Sequence, residues 1–149
     1  MGAILVIEDN LVQGKEMTMV LTAELRSAGL YHRIVWALNK KEALYHMEHQ
    51  AFDLISIDGS FPSSYESEPS QYFALKILEH LGRINYKGRI IFYSEFYDDV
   101  KVATGKVVSG KPVHAYSKVS TMRRPLSVDS SEASISQWAE ICAALISVG

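Results

Sequence analysis

The chain has 149 residues, of which 48% are hydrophobic and 21% charged, and its formal net charge is −2. This composition is typical of a globular domain with a substantial core and excludes a disordered chain. The near-neutral charge gives no reason to expect nucleic acid or an anionic membrane surface as a partner. One cysteine, Cys142, excludes an intramolecular disulfide, and no apolar stretch has the length of a membrane span or a secretion signal. We therefore expect one soluble, cytoplasmic domain over residues 1–149.

Five short apolar runs alternate along the chain with segments of helical periodicity. The runs are Ala3–Ile7, Arg33–Trp36, Leu54–Ile57, Arg89–Tyr93 and Val113–Tyr116. Nearly continuous hydrophobicity over such short lengths is typical of strands that are covered on both faces. Strands that alternate with helices predict an α/β fold, a parallel sheet with right-handed crossovers and helices on both sides.

The predicted helices begin at recognisable capping residues. Three pairs have the spacing of a capping box: Asn10 with Gln13, Asn39 with Glu42, and Ser134 with Gln137. The first helix is predicted to stop at Gly29, a residue that readily adopts the left-handed conformation of a helix C-terminus. Apolar spacing predicts further helices near residues 70–84 and 98–108, the latter with Val100, Ala103 and Val107 on its apolar face. A last helix is predicted near 134–148.

Polar residues end or follow four of the five predicted strands. They are Glu8, Asp9, Asp58, Ser94 and Lys118. Because ligands bind outside the carboxyl ends of parallel strands, we expect these side chains to converge. Carboxylates a few ångströms apart repel by about 4 kcal/mol per pair at an effective dielectric of about 20, so three of them indicate a cation. Hard oxygen ligands favour Mg²⁺ or a similar ion, and the sequence therefore predicts a metal site beside one reactive aspartate.

These motifs resemble the receiver domain of two-component response regulators over nearly the whole chain. The matching pieces are residues 4–9, 53–62, 90–94 and 116–118. They contain an acidic pair, an aspartate followed four residues later by proline, a serine and a lysine, all at the spacing of βα units. The resemblance implies a (βα)₅ flavodoxin-like three-layer sandwich with a parallel five-stranded sheet in the order 2-1-3-4-5.

The resemblance also implies a role for each residue at the predicted site. Asp58 is the phosphoacceptor, and Ser94 and Lys118 bind the phosphoryl group. Mg²⁺ is held by Asp58, by Asp9 directly, by Glu8 through water, and by the backbone carbonyl of Ser60. Transfer to Asp58 then depends on positioning and charge neutralisation.

The function implied is that of a phosphoacceptor in a two-component phosphorelay. Its only chemistry is self-phosphorylation and autodephosphorylation at Asp58, so it is not otherwise an enzyme. A sensor histidine kinase or phosphotransfer protein is the implied donor, and output is by binding a downstream protein, with no direct contact to nucleic acid or membrane. Whether the chain forms a homodimer is left open.

Two alternatives remain. A degenerate receiver would serve as an interaction module that does not depend on phosphorylation. A haloacid-dehalogenase-like phosphatase is suggested by the sequence Asp58-Gly59-Ser60, although the nucleophile of that motif falls at Ser56.

The sequence departs from the receiver family near the predicted site. Glu95 follows Ser94, where the family has a very small residue, and we expect it to gate access. Val119 rather than proline follows Lys118. Ala115 occupies the position of the family's aromatic switch, and Tyr116 comes one position later. Strand side chains alternate with period two, so a regular strand places Tyr116 on the opposite face from that switch.

Tyr116 and Phe96 are the candidate switch residues of this chain. If Tyr116 faces away, the site is expected to couple outward through Phe96 or through the two long connections, residues 59–70 and 119–133. Both connections leave the carboxyl end of a predicted strand, and they are read either as solvated loops or as docking segments.

Overall fold

The structure is a computed structural model that describes residues 2–59, 61–62, 64, 70–95, 97–118 and 132–147. Within these ranges the elements follow in chain order: β1 (Ala3–Ile7), α1 (Leu11–Ser27), β2 (Arg33–Ala37), α2 (Lys40–His49), β3 (Leu54–Ile57), α3 (Gln71–Arg83), β4 (Arg89–Ser94), α4 (Tyr97–Ala103), β5 (Val107–Val108), β6 (Lys111–Pro112), β7 (His114–Lys118), β8 (Glu132–Ala133) and α5 (Ile135–Ser147). None of the described helices is long and apolar enough to cross a membrane.

One parallel sheet organises the described residues. Its strands lie in the order β2-β1-β3-β4-β7-β8, and every neighbouring pair is parallel. The first five strands have the predicted order 2-1-3-4-5, which confirms the flavodoxin-like fold. The predicted number of five strands is corrected by β8, which pairs Glu132 with Ser117 and Ala133 with Lys118. A two-residue strand has no periodicity that a sequence pattern could reveal.

Helices cover both faces of the sheet and divide the core in two. On one face Leu5, Ile7 and Phe92 pack against residues of α2, α3 and α4. On the other face Val6 and Tyr93 pack against α1 and α5, where Trp138 and Cys142 are fully buried. This three-layer arrangement follows from strands that are apolar on both sides.

The helix predicted over residues 98–108 is shorter than expected. It ends at Ala103, and the chain turns through Gly105, whose φ is +86°. A small antiparallel hairpin of β5 and β6 follows, closed by Ser109 and Gly110, both with positive φ. Positive φ at two consecutive residues is the signature of a type I′ hairpin turn, which a helix cannot contain. As a result Val107 is 64% exposed instead of lying in a buried helical stripe.

Candidate functional site

Three carboxylates meet at the carboxyl end of the sheet. Ile7 and Ile57 are register partners, so β1 and β3 end at the same level and present Glu8, Asp9 and Asp58 together. Carboxylate oxygens of the three residues all lie within 4.8 Å of one another. Glu8 is 1% exposed and Asp58 7% exposed, whereas Asp9 is half-buried. The predicted convergence of the acids is therefore present in the structure.

Lys118 places a positive charge beside these acids. Its Nζ forms a short ion pair with Glu8 Oε1 and donates to Gln13 Oε1 at 3.0 Å, but lies 3.8 Å from Asp58 Oδ1. The same Nζ sits 5.6 Å from the ring centroid of Tyr93, within the range of a cation–π contact. Lys118 is thus held first by Glu8 and Gln13, and only second by Asp58.

Burial and crowding shift the titration of this cluster. Burial raises the pKa of Asp58 well above its ordinary value, the charge of Glu8 raises it further, and Lys118 opposes both. Burial acts to lower the pKa of Lys118, but Asp58 and Glu8 more than offset it and leave this pKa above its ordinary value. The acids therefore favour a second cation, and their oxygens are the hard donors that Mg²⁺ prefers.

Glu8 differs from the other two acids in that each of its carboxylate oxygens already accepts a hydrogen bond from a protein group. Its Oε1 accepts from Lys118, and its Oε2 accepts from the backbone N–H of Asn10 at 3.2 Å. Asp9 and Asp58 retain more acceptor capacity toward an ion. The donor set thus fits Mg²⁺ bound directly by Asp9 and Asp58, with Glu8 able to reach it through water.

The backbone around Glu8 is fixed by residues that the sequence patterns did not single out. Trp36 Nε1 donates to the carbonyl oxygen of Glu8 at 2.8 Å. Its indole ring passes against Gly14, where an added Cβ would lie 2.0 Å from the ring.

Asn10 caps α1 by accepting from the backbone of Gln13, as predicted. The side chain of Gln13 instead binds Lys118, because Glu8 already accepts from the backbone N–H of Asn10.

Ser94 occupies the end of β4, on the face toward α4. Its hydroxyl donates to Asp99 Oδ2 at 3.1 Å, and both side chains are buried. Gly59, next to Asp58, packs directly on this pair, since a Cβ there would lie 2.3 Å from Ser94 Oγ. Asp99 was not among the predicted site residues, because its acidic position in the first turn of α4 looks like an ordinary helix start.

The remaining predicted residues fall on different parts of the structure. Glu95 is exposed, and its carboxylate lies close enough to Lys118 to favour the charged form of that lysine. The carbonyl of Ser60, the side chain of Phe96 and residues 119–131 lie outside the described residues. Their predicted roles stay predictions.

The register of β7 settles which way Tyr116 faces. Residues 114–117 pair one for one with residues 91–94 of β4, without a bulge. Ala115 accordingly packs with the α2–α4 side of the core, and Tyr116 with the α1–α5 side. Tyr116 thus lies on the opposite face from Ala115, which occupies the family's switch position.

Ser56, at the nucleophile position of the phosphatase alternative, is a core residue. It is 1% exposed, and its Oγ accepts from Trp138 Nε1 at 3.0 Å. The site therefore offers the phosphatase motif no nucleophile.

Comparisons with solved structures agree with this architecture. No protein-family model and no curated protein matches the chain. A CheY-like response regulator receiver domain from Methylobacillus flagellatus is 16% identical with a TM-score of 0.57, and the match covers 97% of this chain and 98% of that chain. A receiver domain from Methanospirillum hungatei JF-1 is 15% identical with a TM-score of 0.57, covering 84% and 85%. The Francisella response regulator 1452 receiver domain is 20% identical with a TM-score of 0.52, covering 98% and 96%.

At these identities the comparisons establish the fold. The chain folds as the receiver domains of response regulators do, and its buried acidic cluster lies at the carboxyl end of the sheet.

Proposed function

We propose that this chain is a phosphoacceptor receiver of a two-component phosphorelay, phosphorylated on Asp58 in a Mg²⁺-dependent reaction. The observation that carries the proposal is the convergence of Glu8, Asp9 and Asp58, with oxygens within 4.8 Å of one another, beside the buried ammonium group of Lys118. A structural ion pair needs one acid, whereas further carboxylates add repulsion that a bound cation would relieve while leaving them ionised.

The residues of the site divide the work of phosphoryl transfer. A carboxylate oxygen of Asp58 forms a bond to phosphorus as the bond between phosphorus and the donor group breaks. Lys118 neutralises charge on the phosphoryl oxygens, and the Ser94 hydroxyl donates to one of them. Mg²⁺, held by Asp9 and Asp58, would supply further charge neutralisation there. Burial of Asp58, Ser94 and Lys118 reduces competition from water for these contacts.

The partners follow from this chemistry. The donor is a phosphohistidine on a sensor histidine kinase or a phosphotransfer protein, and the output is binding of a downstream protein. Chemistry is confined to gain and loss of the phosphoryl group at Asp58. A kinase-fed relay of this kind operates in the cytoplasm.

A degenerate receiver is the second candidate, and a specific observation favours it. Both predicted phosphoryl-binding groups already have protein acceptors: Lys118 binds Glu8 and Gln13, and Ser94 binds Asp99. A phosphoryl oxygen can take the remaining N–H of Lys118, but it must displace Asp99 from the single hydroxyl proton of Ser94. If that exchange is too costly, the fold persists as an interaction module without phosphorylation.

An intact-mass measurement after incubation with acetyl phosphate and Mg²⁺ separates the two candidates. We expect one labile phosphoryl adduct on the wild-type chain and none on Asp58→Asn. Asp53→Asn, which changes an acid at the opposite end of β3, serves as the matched control and should keep the adduct. Absence of an adduct at high donor concentration in the folded wild type would refute phosphoacceptor function.

A further inference from the structure

The Ser94–Asp99 pair forms a closed contact on the α4 side of the site. The hydroxyl donates to Asp99 Oδ2 at 3.1 Å; Ser94 is fully buried and Asp99 is 7% exposed. The backbone of Gly59 lies directly against both residues: a Cβ there would be 2.3 Å from Ser94 Oγ and 2.8 Å from Asp99 Cβ. The pair is therefore in contact with the residue that follows the phosphoacceptor.

The hydroxyl of Ser94 can donate its proton to only one acceptor at a time. Serine has one hydroxyl proton, so Ser94 cannot donate fully to Asp99 and to a phosphoryl oxygen at the same time. A hydrogen bond to an ionised acceptor is roughly twice as strong as one between neutral groups. Burial raises the pKa of Asp99, and the bond from Ser94 opposes that rise, as expected when the hydroxyl stabilises the carboxylate.

We propose that Asp99 is a positioning residue that competes with the phosphoryl group for the hydroxyl of Ser94. This inference rests on the proposed function of Asp58. In the resting state Asp99 holds the hydroxyl on the α4 side, and phosphorylation requires Ser94 to rotate away from it. The exchange leaves Asp99 buried without its donor, and that cost weakens binding of the phosphoryl group.

A purely structural role for Asp99 makes a different prediction. If the pair only ties α4 to β4, removing Asp99 lowers stability without changing phosphate affinity through Ser94. Competition instead requires that the effect of Asp99 on phosphate affinity disappear when Ser94 has no hydroxyl. A double-mutant cycle measures this dependence directly.

The experiment is a titration with beryllofluoride, a phosphoryl mimic, at saturating Mg²⁺. Intrinsic fluorescence, to which Trp36 and Trp138 both contribute, provides the readout, because Trp36 Nε1 donates to the carbonyl of Glu8. We expect Asp99→Ala to bind about tenfold more tightly than wild type, the size of one hydrogen bond to a charged group. Asp99→Asn, which keeps the side-chain size and a neutral acceptor, should gain about threefold. In the Ser94→Ala background, Asp99→Ala should leave the affinity unchanged.

Thermal melting of each variant verifies that it is folded, and Asp99→Asn guards against loss of fold in Asp99→Ala. The inference is overturned if Asp99→Ala raises beryllofluoride affinity equally with and without the Ser94 hydroxyl, or if neither Asp99 variant raises it. In both cases binding by the wild type still upholds the proposed function. Binding that appears only in the Asp99 variants supports the inference in its strongest form. Absence of binding in every folded protein overturns both proposals.

Discussion

The two ends of β3 differ in how far their charged side chains are exposed to solvent. At its amino end, Asp53 Oδ2 lies 3.1 Å from His32 Nε2, and the Asp53 side chain is 56% exposed. At its carboxyl end, Asp58 shares a buried cluster with Glu8 and Lys118, whose side chains are 2% and 9% exposed. A largely hydrated carboxylate such as that of Asp53 costs and contributes little, although the His32 side chain is only 14% exposed, whereas each buried ion loses several kcal/mol of hydration. The amino end thus carries a largely hydrated carboxylate, whereas the carboxyl end holds buried charge that stability alone does not require.

The largest test of this contrast removes a charge at each end. Lys118→Met keeps the length of the side chain but leaves Glu8 and Asp58 without their cation, so we expect a loss of about 3–5 kcal/mol in the free energy of unfolding. Asp53→Asn removes the more exposed charge at the amino end and should cost no more than about 1 kcal/mol. Urea unfolding at pH 8 measures both.

A companion variant controls for packing at Lys118. Combining Lys118→Met with Glu8→Gln removes one of the stranded charges and should recover part of the lost stability. Similar losses for Lys118→Met and Asp53→Asn would mean that the buried acids simply become protonated.

The second test adds a cation instead of removing one. Mg²⁺ that binds only the folded chain should stabilise it by about 2.7 kcal/mol at a hundred times the dissociation constant. Asp9→Asn should lose most of this gain, and Asp53→Asn, at the amino end, should keep it. Thermal melts in Mg²⁺ and in chelator give the comparison; a wild type indifferent to Mg²⁺ contradicts the predicted site.

The third test uses pH in the absence of metal. Burial, then Glu8, raises the pKa of Asp58 in the folded chain. The folded state therefore binds its proton more tightly than the unfolded state does, so stability falls as pH rises from the ordinary carboxyl pKa through the raised one. Urea unfolding across this range, in chelator, should show the decline in wild type and a flatter profile in Asp58→Asn. Parallel profiles would argue against a perturbed Asp58.

The smallest expected effect concerns Glu95, at the mouth of the acidic end. Its exposed carboxylate lies near Lys118 and should repel an anionic donor. Glu95→Ala should speed phosphorylation by acetyl phosphate by about threefold at low ionic strength, and less in high salt. Glu79→Ala removes an exposed acid of α3 and is the matched control. Rates that do not differ would show that Glu95 does not gate the site.

Much of the fold was accessible from sequence, because buried strands and capped helices leave local patterns. The strand runs, the cap at Asn10 and the stop at Gly29 are all present, and Gly29 has a φ of +75°. The prediction of one helix over residues 98–108 was wrong because the spacing of Val107 fits a helix. The chain leaves the helical conformation after Ala103, through turn residues with positive φ that the apolar spacing does not reveal.

The convergence of the acidic residues could be predicted from the sequence, whereas the hydrogen-bond partners of Lys118 and Ser94 could not. Carboxyl ends of parallel strands must meet, which is why the acids and Lys118 converge. Which acceptor Lys118 chooses depends on how α1 docks, and Gln13 is 105 residues away in sequence. Asp99 reaches Ser94 only because Gly59 leaves room for α4 to approach. Contacts of this kind are set by tertiary packing and leave no sequence periodicity.

The short strand β8 has a consequence for assembly. Its residues Glu132 and Ala133 cover the carboxyl half of the outer edge of β7, and the hydroxyl of Tyr93 donates to the carbonyl of Ala133 at 2.7 Å. A second chain that added a strand along this edge would have to displace β8 and with it the register partner of Lys118. Edge-to-edge association is thereby linked to the site. Any change that detaches β8 would expose the edge of β7 and, at the same time, release the backbone of Lys118 from its register partner.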